Sequence, residues 1–553
     1  MSENLGNLAG RHGLRSATVL ETLGASASIS GTPDSDTLER LHQDFLIGRG
    51  NLQGTVTFYD FLKPENAGKK VYICNGSACL TSGTQDVLRN QLESQFGIDA
   101  VGEMCCVGRC YENKAFHRQG KTFSGDTKVA DVIDDSKEHS SAIPVSGIGT
   151  RILTGPAYTT GEAETLLRTC RLRKPEDLWK EVKSSGLRGR GGAGFPLATK
   201  LAACRDAAGS EKYIVCNADE GDPGAFSDRY LLEEQPVQLL TGMLIAGMIS
   251  GAEWGVVYVR AEYPEAIARI QETIIKFYDS GLAGRNIIDG KFHFDFRMIK
   301  AQGAYICGEE SALLSSIEGQ RPEVRIRPPY PAEKGLFNQP TVVSNVETLA
   351  NLPWIITYGG DAYAALGNPE CTGTKLISLD GFFNKPGLAE VPTGTPLARV
   401  VYEIGGGFRT KVKALHIGGP LGGLVPVDAV ESLTVDFKSF SDAGFLLGHA
   451  SVICIPENFP LIKYLEHLFA FTAHESCGKC FPCRLGSVRG KEMLGQASAG
   501  TYQIDRQLFE DLLETLESGS LCMLGGGLPL PVRNALQYFA EELRPHFTPD
   551  KTA

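Results

Sequence analysis

The sequence predicts a multi-domain α/β protein, and three observations support this fold class. The chain has 553 residues, of which 42% are hydrophobic and 22% charged, a composition typical of globular proteins. At about 100–200 residues per domain, this length corresponds to several domains. Short strands rich in β-branched residues alternate with helical patterns over most of the chain, whereas the part after Pro460 is mainly helical.

The composition patterns along the chain predict six segments. The first is rich in Ser, Gly, Ala and Thr and is expected to be poorly ordered. A small domain, a linker, a large α/β domain, a small β-rich domain and a helical region follow it. In chain order the six segments are 1–36, 37–133, 134–150, 151–372, 373–440 and 441–553.

Individual elements are predicted within these segments from periodicity and turn residues. The predicted strands are 70–74, 212–216, 254–260, 375–379, 399–403 and 414–417. The predicted helices are 84–96, 175–185, 197–207, 264–280 and 532–543. The most apolar segment, 237–249, indicates a buried helix, since no apolar run reaches the roughly 18 residues of a membrane span.

Charge and cysteine content exclude further classes of function. The net charge of −11 and the lack of a basic stripe with interleaved aromatic residues argue against nucleic-acid binding. The N-terminal residues lack the apolar core of an export signal. The 15 cysteines are therefore expected as thiols in a reducing compartment, the cytoplasm, and not as a disulfide framework.

The most specific chemical signal is a group of cysteines near the C-terminus. Cys477, Cys480 and Cys483 share one tight loop with C-x2-C-x2-C spacing, and Cys522 follows later. Three thiolates in such a loop can bind one face of a 4Fe–4S cluster, and a distant fourth completes it. A tetrahedral zinc site normally uses two separated C-x2-C pairs or adds histidine, and it is the alternative, as are four unliganded core cysteines.

A second group of cysteines lies in the N-terminal part. Cys74 and Cys79 are spaced C-x4-C, and Cys106 and Cys110 are spaced C-x3-C, with Cys105 adjacent. Two such pairs on two loops can each hold one iron of a 2Fe–2S cluster, and the C-x3-C spacing favours Cys106 over Cys105. The alternative is a thioredoxin-like domain whose cysteines bind no iron.

The glycine-rich run 189–194, Gly-Arg-Gly-Gly-Ala-Gly, contains the pattern G-x-G-x-x-G. In dinucleotide-binding domains this pattern follows a strand, whereas here a helix is predicted before it. The helix after it offers backbone N–H groups and a positive dipole end to a phosphate, and Arg190 and Lys200 add positive charge. We expect the loop to bind FMN or a dinucleotide; the alternative is a turn that packs a helix against the sheet.

Two acidic loops follow apolar segments in the same domain. The first is 217–224, Asn-Ala-Asp-Glu-Gly-Asp-Pro-Gly, and the second is 303–310, Gly-Ala-Tyr-Ile-Cys-Gly-Glu-Glu. Amide and carboxylate groups there can pair with the donors and acceptors along a flavin edge. Carboxylates also accept hydrogen bonds from ribose and repel a 2′-phosphate, which favours NAD over NADP. Each run alone is also compatible with a solvated loop.

Together these motifs resemble those of a known family. From about Gly155 to Leu543 the chain resembles the FMN- and NADH-binding flavoprotein subunit of respiratory complex I. It resembles even more the diaphorase beta subunits of soluble NAD-dependent formate dehydrogenases and NAD-reducing hydrogenases. The N-terminal part, with Val56-Thr-Phe-Tyr59 and four cysteines, is similar to the thioredoxin-like 2Fe–2S subunit of these complexes. The other motifs that carry the resemblance are 185–196, 217–229, 303–319, 344–349 and 475–484.

The resemblance implies four folded units: a thioredoxin-like α/β domain, a Rossmann-like FMN domain, a small β-grasp (ubiquitin-like) domain, and a C-terminal helical bundle with the iron–sulfur cluster. The residues implied to bind FMN are Gly189, Arg190, Gly191, Lys200, Asn217, Asp219, Glu220, Tyr305, Gly308, Glu309, Asn345 and Thr348. Those implied to contact NADH are Phe195, Asp222 and Glu310. The implied ligands are Cys477, Cys480, Cys483 and Cys522 for a 4Fe–4S cluster, and Cys74, Cys79, Cys106 and Cys110 for a 2Fe–2S cluster.

The resemblance also implies a reaction. Hydride would pass between NAD(H) and FMN, and single electrons between FMN and the 4Fe–4S cluster. Because FMN carries the chemistry, no catalytic acid, base or nucleophile is expected from the protein. The sequence shows no additional cluster motif and no pterin site. A partner subunit with a molybdenum or tungsten pterin, or a hydrogenase, would therefore carry the other half-reaction and further iron–sulfur clusters, and a separate small 2Fe–2S subunit is also compatible.

Details of the sequence favour formate as the substrate of the partner. Asp222 precedes Pro223, where complex I subunits usually have Glu. This feature, Cys480-Phe-Pro-Cys483 and the run 525–531, Gly-Gly-Gly-Leu-Pro-Leu-Pro, look closest to formate dehydrogenase beta subunits. The alternatives are a diaphorase of a hydrogenase or of a complex I-like NADH dehydrogenase, a cluster-bearing structural subunit with an inactive flavin site, and a zinc-stabilised interaction module.

Overall fold

The computed structural model describes residues 13–124 and 142–549, and within them it contains four β-sheets and a helical C-terminal region. The α/β multi-domain architecture predicted from the sequence is confirmed. Residues 1–12, 125–141 and 550–553 lie outside the described residues. The predictions for most of the linker and for the end of the first domain fall there.

Three helices precede a small four-stranded sheet at the N-terminus. In sequence order its strands are Val71–Cys74, Val101–Met104, Phe116–Arg118 and Lys121–Phe123, and in space the second lies at one edge beside the first. The first two strands are parallel and the others antiparallel. The helices are Val19–Ser30, Ser35–Phe45, Arg49–Val56, Ser77–Ser82 and Gln85–Phe96, with short 3-10 turns at Pro64–Asn66 and Ile98–Ala100.

The expectation that residues 1–36 are poorly ordered is wrong for the described part, 13–36. The helix Val19–Ser30 begins with a capping box, in which the Thr18 and Glu21 side chains each accept a hydrogen bond from the other's backbone N–H. Leu20 and Leu23 on this helix are fully buried, and Glu21 pairs with Arg297 of the large domain at 2.7 Å. The small-residue composition hid a helix that tertiary packing stabilises.

A four-stranded parallel sheet forms the centre of the large domain. In spatial order its strands are Asp295–Lys300, Trp254–Val259, Tyr213–Ala218 and Thr341–Asn345. Helices cover it, as a parallel sheet buried on both faces requires. They are Thr160–Arg171, Pro175–Ser184, Leu197–Asp206, Ser227–Glu234, Pro236–Ser250, Pro264–Asp279, Glu310–Ile317, Pro331–Lys334, Val346–Ala350, Leu352–Tyr358 and Gly360–Ala364. Short 3-10 turns lie at Ile287–Asp289, Tyr305–Gly308 and Leu336–Asn338, and a two-residue hairpin pairs Gly367–Asn368 with Cys371–Thr372.

The helix Pro236–Ser250 is the apolar segment noted in the sequence, and it is buried almost all round. Gly242 allows the closest contact, since a Cβ there would lie 2.0 Å from the Leu349 carbonyl oxygen. Gly251 ends the helix with a φ of 76°, a conformation that glycine adopts without strain. No helix of the described residues is long and apolar enough to cross a membrane.

The β-rich domain extends beyond its predicted bounds in both directions. Its six-stranded sheet has the spatial order Gly423–Pro426, Val412–Ile417, Ser451–Pro456, Thr374–Leu379, Gly387–Pro392 and Val145–Gly147. One strand thus comes from the predicted linker and another from the predicted helical region. Residues 399–403 form a π-helical turn, Arg399–Ile404, instead of the predicted strand, because Val400 and Val401 are both buried side by side in the core. A 3-10 turn, Val427–Ser432, and the helix Phe437–Asp442 complete the domain.

The C-terminal region is a helical bundle around its own hydrophobic core. The helices are Leu461–Glu475, Ser487–Ser498, Arg506–Gly519, Met523–Gly526, Pro529–Tyr538 and Ala540–Leu543, with a π-helical turn at Pro482–Gly486 and a 3-10 turn at Arg544–His546. The predicted helix 532–543 is broken at Phe539, whose φ of −125° is not helical. The loop between the first helix and the π-helical turn carries the three clustered cysteines.

Candidate functional site

The candidate site lies where the two central strands of the parallel sheet end. In open α/β sheets, ligands bind in the crevice outside the carboxyl ends of the strands. Tyr213–Ala218 and Thr341–Asn345 are neighbours, with Asn217 opposite Asn345, so the two strands deliver their polar ends to one edge. The acidic loop 217–224, the loop 303–310 and the glycine run 189–194 all lie there.

The glycine run forms a tight turn closed by its own backbone. Gly189 N–H donates to the Phe195 carbonyl at 2.8 Å, and the helix Leu197–Asp206 begins just after the turn. Gly191 packs against Asn345 so closely that a Cβ would lie 2.9 Å from the Asn345 Cβ. Arg190 N–H donates to Thr348 Oγ1 at 2.8 Å, which ties the turn to the helix after the neighbouring strand. The turn therefore presents bare backbone to the crevice.

The Arg190 side chain does not have the position that phosphate binding requires. Its guanidinium is fully buried and donates to the Thr372 carbonyl, and to the Tyr363 hydroxyl at 3.2 Å. Burial opposes its charge, but Tyr363, Cys371 and Glu347 outweigh this effect and raise the pKa of Arg190. The guanidinium thus anchors the turn to the protein from behind. The prediction that it contacts a phosphate is wrong, and only the backbone of the run is available for that purpose.

Lys200 lies in a row of alternating charges at the mouth of the crevice. Its Nζ is 3.0 Å from Glu310 Oε2, and Arg327 NH1 is 2.9 Å from Glu310 Oε1. The Phe195 ring, which is 46% exposed, lies with its centroid 5.9 Å from Lys200 Nζ. An exposed aromatic ring beside a carboxylate held by two cations offers stacking and hydrogen bonding to a nucleotide.

The first acidic loop is held in place by an amide and presents one free carboxylate. Asn217 Nδ2 donates to the Gly308 carbonyl at 2.8 Å, and Asn217 Oδ1 accepts from Asp219 N–H. Asp219 is 9% exposed, and its Oδ2 has no hydrogen-bond partner among the described residues. Burial raises the pKa of Asp219 well above its usual range. A buried acid without a partner fits a ligand that supplies hydrogen-bond donors, as the edge of a flavin ring does.

Glu220 and Glu309 differ from the expectation that they face the flavin. Glu220 accepts hydrogen bonds from the backbone N–H groups of Asp228 and Arg229, at 2.9 and 3.0 Å, and so caps the helix Ser227–Glu234. Glu309 caps the helix Glu310–Ile317 in the same way, through Ser311 and Ala312. Carboxylates at helix N-termini satisfy free N–H groups and the helix dipole. These oxygens are occupied by the protein itself.

Tyr305 connects the acidic loop with the C-terminal bundle. Its hydroxyl donates to Asp222 Oδ1 at 2.6 Å, and its backbone N–H donates to Glu475 Oε2 at 2.8 Å. Its ring packs edge-on against Phe471, with centroids 4.9 Å apart. Glu475 is the last residue of its helix and stands two residues before Cys477. One residue therefore spans from the crevice to the cysteine loop.

Two residues in the crevice had no role assigned from the sequence. Asp228 Oδ2 accepts a hydrogen bond from Asn345 Nδ2 at 2.6 Å, and it lies 3.6 Å from His449 Nε2. Asp228 belongs to the motif 217–229, which was a signal for its importance. His449 comes from the β-rich domain, more than two hundred residues later, and nothing in the sequence connected it to this site.

The four C-terminal cysteines come together beside this crevice. Cys477 and Cys483 are buried, and Cys480 and Cys522 pack against the same cluster. Burial and the neighbouring Cys477 and Cys483 thiols raise the pKa of Cys522 to about 12 despite a backbone hydrogen bond from Leu524. A donor set of four thiols without histidine, three of them in one loop, fits a 4Fe–4S cluster. Arg321 NH2 donates to the Cys477 carbonyl at 3.1 Å and Lys479 lies nearby, so cations offset the negative charge of such a cluster.

The N-terminal cysteines also converge, and they do so against the acidic loop. Cys106 Sγ lies 3.3 Å from Cys110 Sγ, and Cys74 and Cys79 adjoin them in the same buried cluster. Gly224 N–H, from the large domain, donates to Cys110 Sγ at 3.3 Å, and Gly108 N–H donates to Cys106 Sγ at 3.4 Å. Cys105 lies to one side, where its carbonyl accepts from Arg260. Four buried thiols with N–H donors fit a 2Fe–2S cluster.

Comparison with known proteins gives a consistent assignment. The sequence profile of the Nuo51 FMN-binding domain matches residues 182–354, and that of the NADH-ubiquinone oxidoreductase-F iron–sulfur binding region matches residues 463–546. A second F-type subunit of the NADH-quinone oxidoreductase of Rhizobium meliloti is 40% identical over 375 residues, which cover 67% of this chain and 89% of the relative. The chain belongs to this NADH-binding flavoprotein family of complex I. It is thus a diaphorase-type, NADH-oxidising subunit with sites for FMN and a 4Fe–4S cluster.

Hydrogenase subunits of this family match more of the chain. The NAD-reducing hydrogenase HoxS subunit alpha of Cupriavidus necator is 33% identical over 532 residues, covering 89% of this chain and 85% of the relative. A crystal structure of an NAD+-reducing nickel–iron hydrogenase in the H2-reduced state superposes with a TM-score of 0.86 at 29% identity. That similarity covers 97% of this chain and 95% of the other, so the N-terminal domain is part of the shared architecture.

Proposed function

We propose that this chain is the diaphorase subunit of a soluble NAD-dependent formate dehydrogenase, and that it joins hydride transfer at FMN to single-electron transfer at the Cys477 cluster. The observation that carries the proposal is the contact chain through Tyr305. Its hydroxyl touches the acidic loop at Asp222, and its backbone touches Glu475, two residues from Cys477. A flavin held by the acidic loop would therefore lie close to the cluster.

The residues of the chain would bind and orient the two cofactors. The backbone of the 189–194 turn would hold the phosphate of FMN, with Lys200 near it, and Asp219 would accept hydrogen bonds from the ring edge. Phe195 would stack on the adenine of NADH, and Glu310 would accept from its ribose, with Asp222 toward the nicotinamide. FMN, when bound, supplies the chemistry by accepting two electrons as hydride and releasing them singly.

The surface beside the Cys477 cluster supports electron transfer to a partner. Phe481, Leu485 and Met523 are 74%, 59% and 60% exposed, respectively, next to the cysteine ligands. Three exposed large apolar side chains grouped at a redox site are typical of a docking surface. We propose that the partner subunit covers this surface and carries the pterin and further iron–sulfur clusters.

We also propose that the N-terminal domain holds a 2Fe–2S cluster ligated by Cys74, Cys79, Cys106 and Cys110. The supporting observation is that both N–H donors to the sulfurs, from Gly108 and Gly224, are in place. Because Gly224 belongs to the acidic loop, this cluster would lie beside the flavin site. Clusters of this kind are sensitive to oxidation, so we place the protein in the reducing cytoplasm.

The substrate of the partner can be tested directly. Asp222-Pro223, the Cys480–Cys483 loop and the run 525–531 favour formate, whereas the similarity to the hydrogenase subunits along nearly the whole chain favours hydrogen. The complex should be purified with its co-eluting subunits, and NAD+ reduction measured with formate and with H2. Reduction with formate alone supports our proposal, and reduction with H2 alone replaces it with a hydrogenase.

The electron path is tested by Cys480→Ser. This variant should retain FMN and NADH oxidation with an artificial acceptor that takes electrons from the flavin, but lose electron exchange with the natural partner. The matched control is Cys170→Ser, which changes a buried cysteine outside both cysteine groups. Full turnover of Cys480→Ser with the partner would contradict the proposed path, and a wild-type protein without FMN or iron would contradict the function as a whole.

A further inference from the structure

His449 occupies an unusual position for a buried histidine. It is 5% exposed, its Nε2 lies 3.6 Å from both Glu220 Oε1 and Asp228 Oδ2, and neither ring nitrogen has a hydrogen-bond partner among the described residues. Burial lowers the pKa of His449, but Asp228 and Glu220 outweigh this effect and raise it to about 9. An imidazolium between two carboxylates at longer than hydrogen-bond distance is held by charge and not by direct bonds.

The other buried histidines show that this is not ordinary core packing. His416 Nδ1 lies 2.7 Å from the Tyr464 hydroxyl, and His467 Nε2 lies 3.1 Å from Ser77 Oγ. Burial lowers the pKa of both to about 4, so they are neutral. Of these three described histidines, His449 alone lacks a partner and carries a charge. Buried polar groups without partners require an explanation, and a ligand is one.

The surroundings of His449 place it at the flavin crevice. A Cβ on Gly192 of the glycine run would lie 3.8 Å from the Gly448 carbonyl carbon and 3.9 Å from His449 N. Asp228 links the histidine to Asn345, which packs against Gly191. The glycine run, the strand end and the acidic loop therefore surround it. The charged groups that act on it are Glu220, Asp228 and Lys375, and it acts in turn on Asp222; Lys375 is itself paired with Glu347.

We propose that His449 is a positioning residue that holds a fixed positive charge beside the bound flavin and so favours its reduced form. The inference rests on the proposed FMN site. A hydride brings two electrons and one proton, so it adds one negative charge to its acceptor, and the electrons then leave singly to the cluster. A cation beside the acceptor stabilises that added charge, whereas a neutral side chain does not.

The charge predicts a measurable preference between the two redox states. The FMN dissociation constant is measured by the fluorescence of released flavin, for the oxidised protein and for the protein reduced anaerobically. The ratio of the two constants gives the shift in flavin midpoint potential through a thermodynamic cycle. In His449→Gln the preference for reduced FMN should fall about tenfold, which corresponds to about 30 mV for a two-electron couple. In His449→Lys, which keeps a cation, most of the preference should return.

Controls separate this role from a structural one. His416→Gln removes a neutral buried histidine and should leave the ratio unchanged. The difference between wild type and His449→Gln should also shrink at pH 10, where His449 loses its proton. If His449→Gln binds FMN but keeps the wild-type ratio, or if His449→Lys behaves like His449→Gln, the inference is wrong. If the wild-type protein binds no FMN, the proposed function itself fails.

Discussion

Replacing Glu310 with Gln should weaken the discrimination against NADPH. The Glu310 carboxylate lies 3.0 Å from Lys200 Nζ and 2.9 Å from Arg327 NH1, so it neutralises one of two cations. Glutamine keeps the shape but leaves both cations facing the crevice. A 2′-phosphate, which the carboxylate repels, would then meet two positive charges.

The size of the effect follows from the exposure of these groups. The side chains of Lys200, Glu310 and Arg327 are 29%, 21% and 32% exposed, respectively, so water screens the interaction substantially. One unit of charge acting on a phosphate about 6 Å away, at an effective dielectric constant near 50, amounts to about 1–2 kcal/mol. The ratio of kcat/KM for NADPH over NADH should therefore rise about 5- to 30-fold.

The assay is NADH and NADPH oxidation with an artificial acceptor, at low and at high salt. The selectivity gain should decrease with salt, because partly exposed charges are screened. The control Glu492→Gln makes the same change in net charge at an exposed ion pair with Arg489, far from the crevice, and should not alter the ratio. An unchanged NADPH/NADH ratio in Glu310→Gln would remove Glu310 from the nucleotide site.

Three further predictions address the N-terminal cluster, the glycine run and the β-rich domain. Cys106→Ser should abolish the electron paramagnetic resonance signal of a 2Fe–2S cluster while Cys105→Ser retains it; equal loss in both variants would contradict the ligand assignment. Gly191→Ala should lower FMN content at least tenfold in a folded protein, because its Cβ would lie 2.9 Å from Asn345 Cβ; Gly161→Ala, with no atom within 4 Å, is the control. Asp380→Asn should gain thermal stability relative to wild type as pH rises from 5 to 8.5. Burial raises the pKa of Asp380 to about 7 despite hydrogen bonds from Cys454 and Phe382, so its stabilising contribution is present below its unfolded pKa near 4 and is lost as pH rises through 7. A melting-temperature difference that does not change with pH would contradict this reasoning.

The sequence predicted well those features that depend on local spacing. The Cys477–Cys483 loop, the parallel strands and the long helices follow from patterns within a few residues, and each strand of the central sheet carries its own β-branched signal. The predicted strand 212–216 and helix 264–280 differ from Tyr213–Ala218 and Pro264–Asp279 only at their ends. Where the chemistry and the local pattern coincide, one segment is enough.

Features that depend on distant partners could not be predicted in the same way. The direction of the Arg190 guanidinium is set by Tyr363 and Thr372, which no local pattern connects to the glycine run. His449 reaches the crevice only because the strand Ser451–Pro456 inserts into the centre of the β-rich sheet. The sequence placed that strand in the helical region, so it could not bring the histidine to the flavin loops.

The contacts of the acidic loop explain why the N-terminal domain and the flavin domain form one unit. Arg260 is buried, pairs with Glu262 at 2.9 Å, and donates both to the Glu220 carbonyl and to the Cys105 carbonyl. Gly224 donates to Cys110 from the same loop. Without the N-terminal domain, a buried cation and a backbone donor at the flavin site would each lose a partner. The domain therefore supports the geometry of the flavin loop in addition to any electron that its cysteines hold.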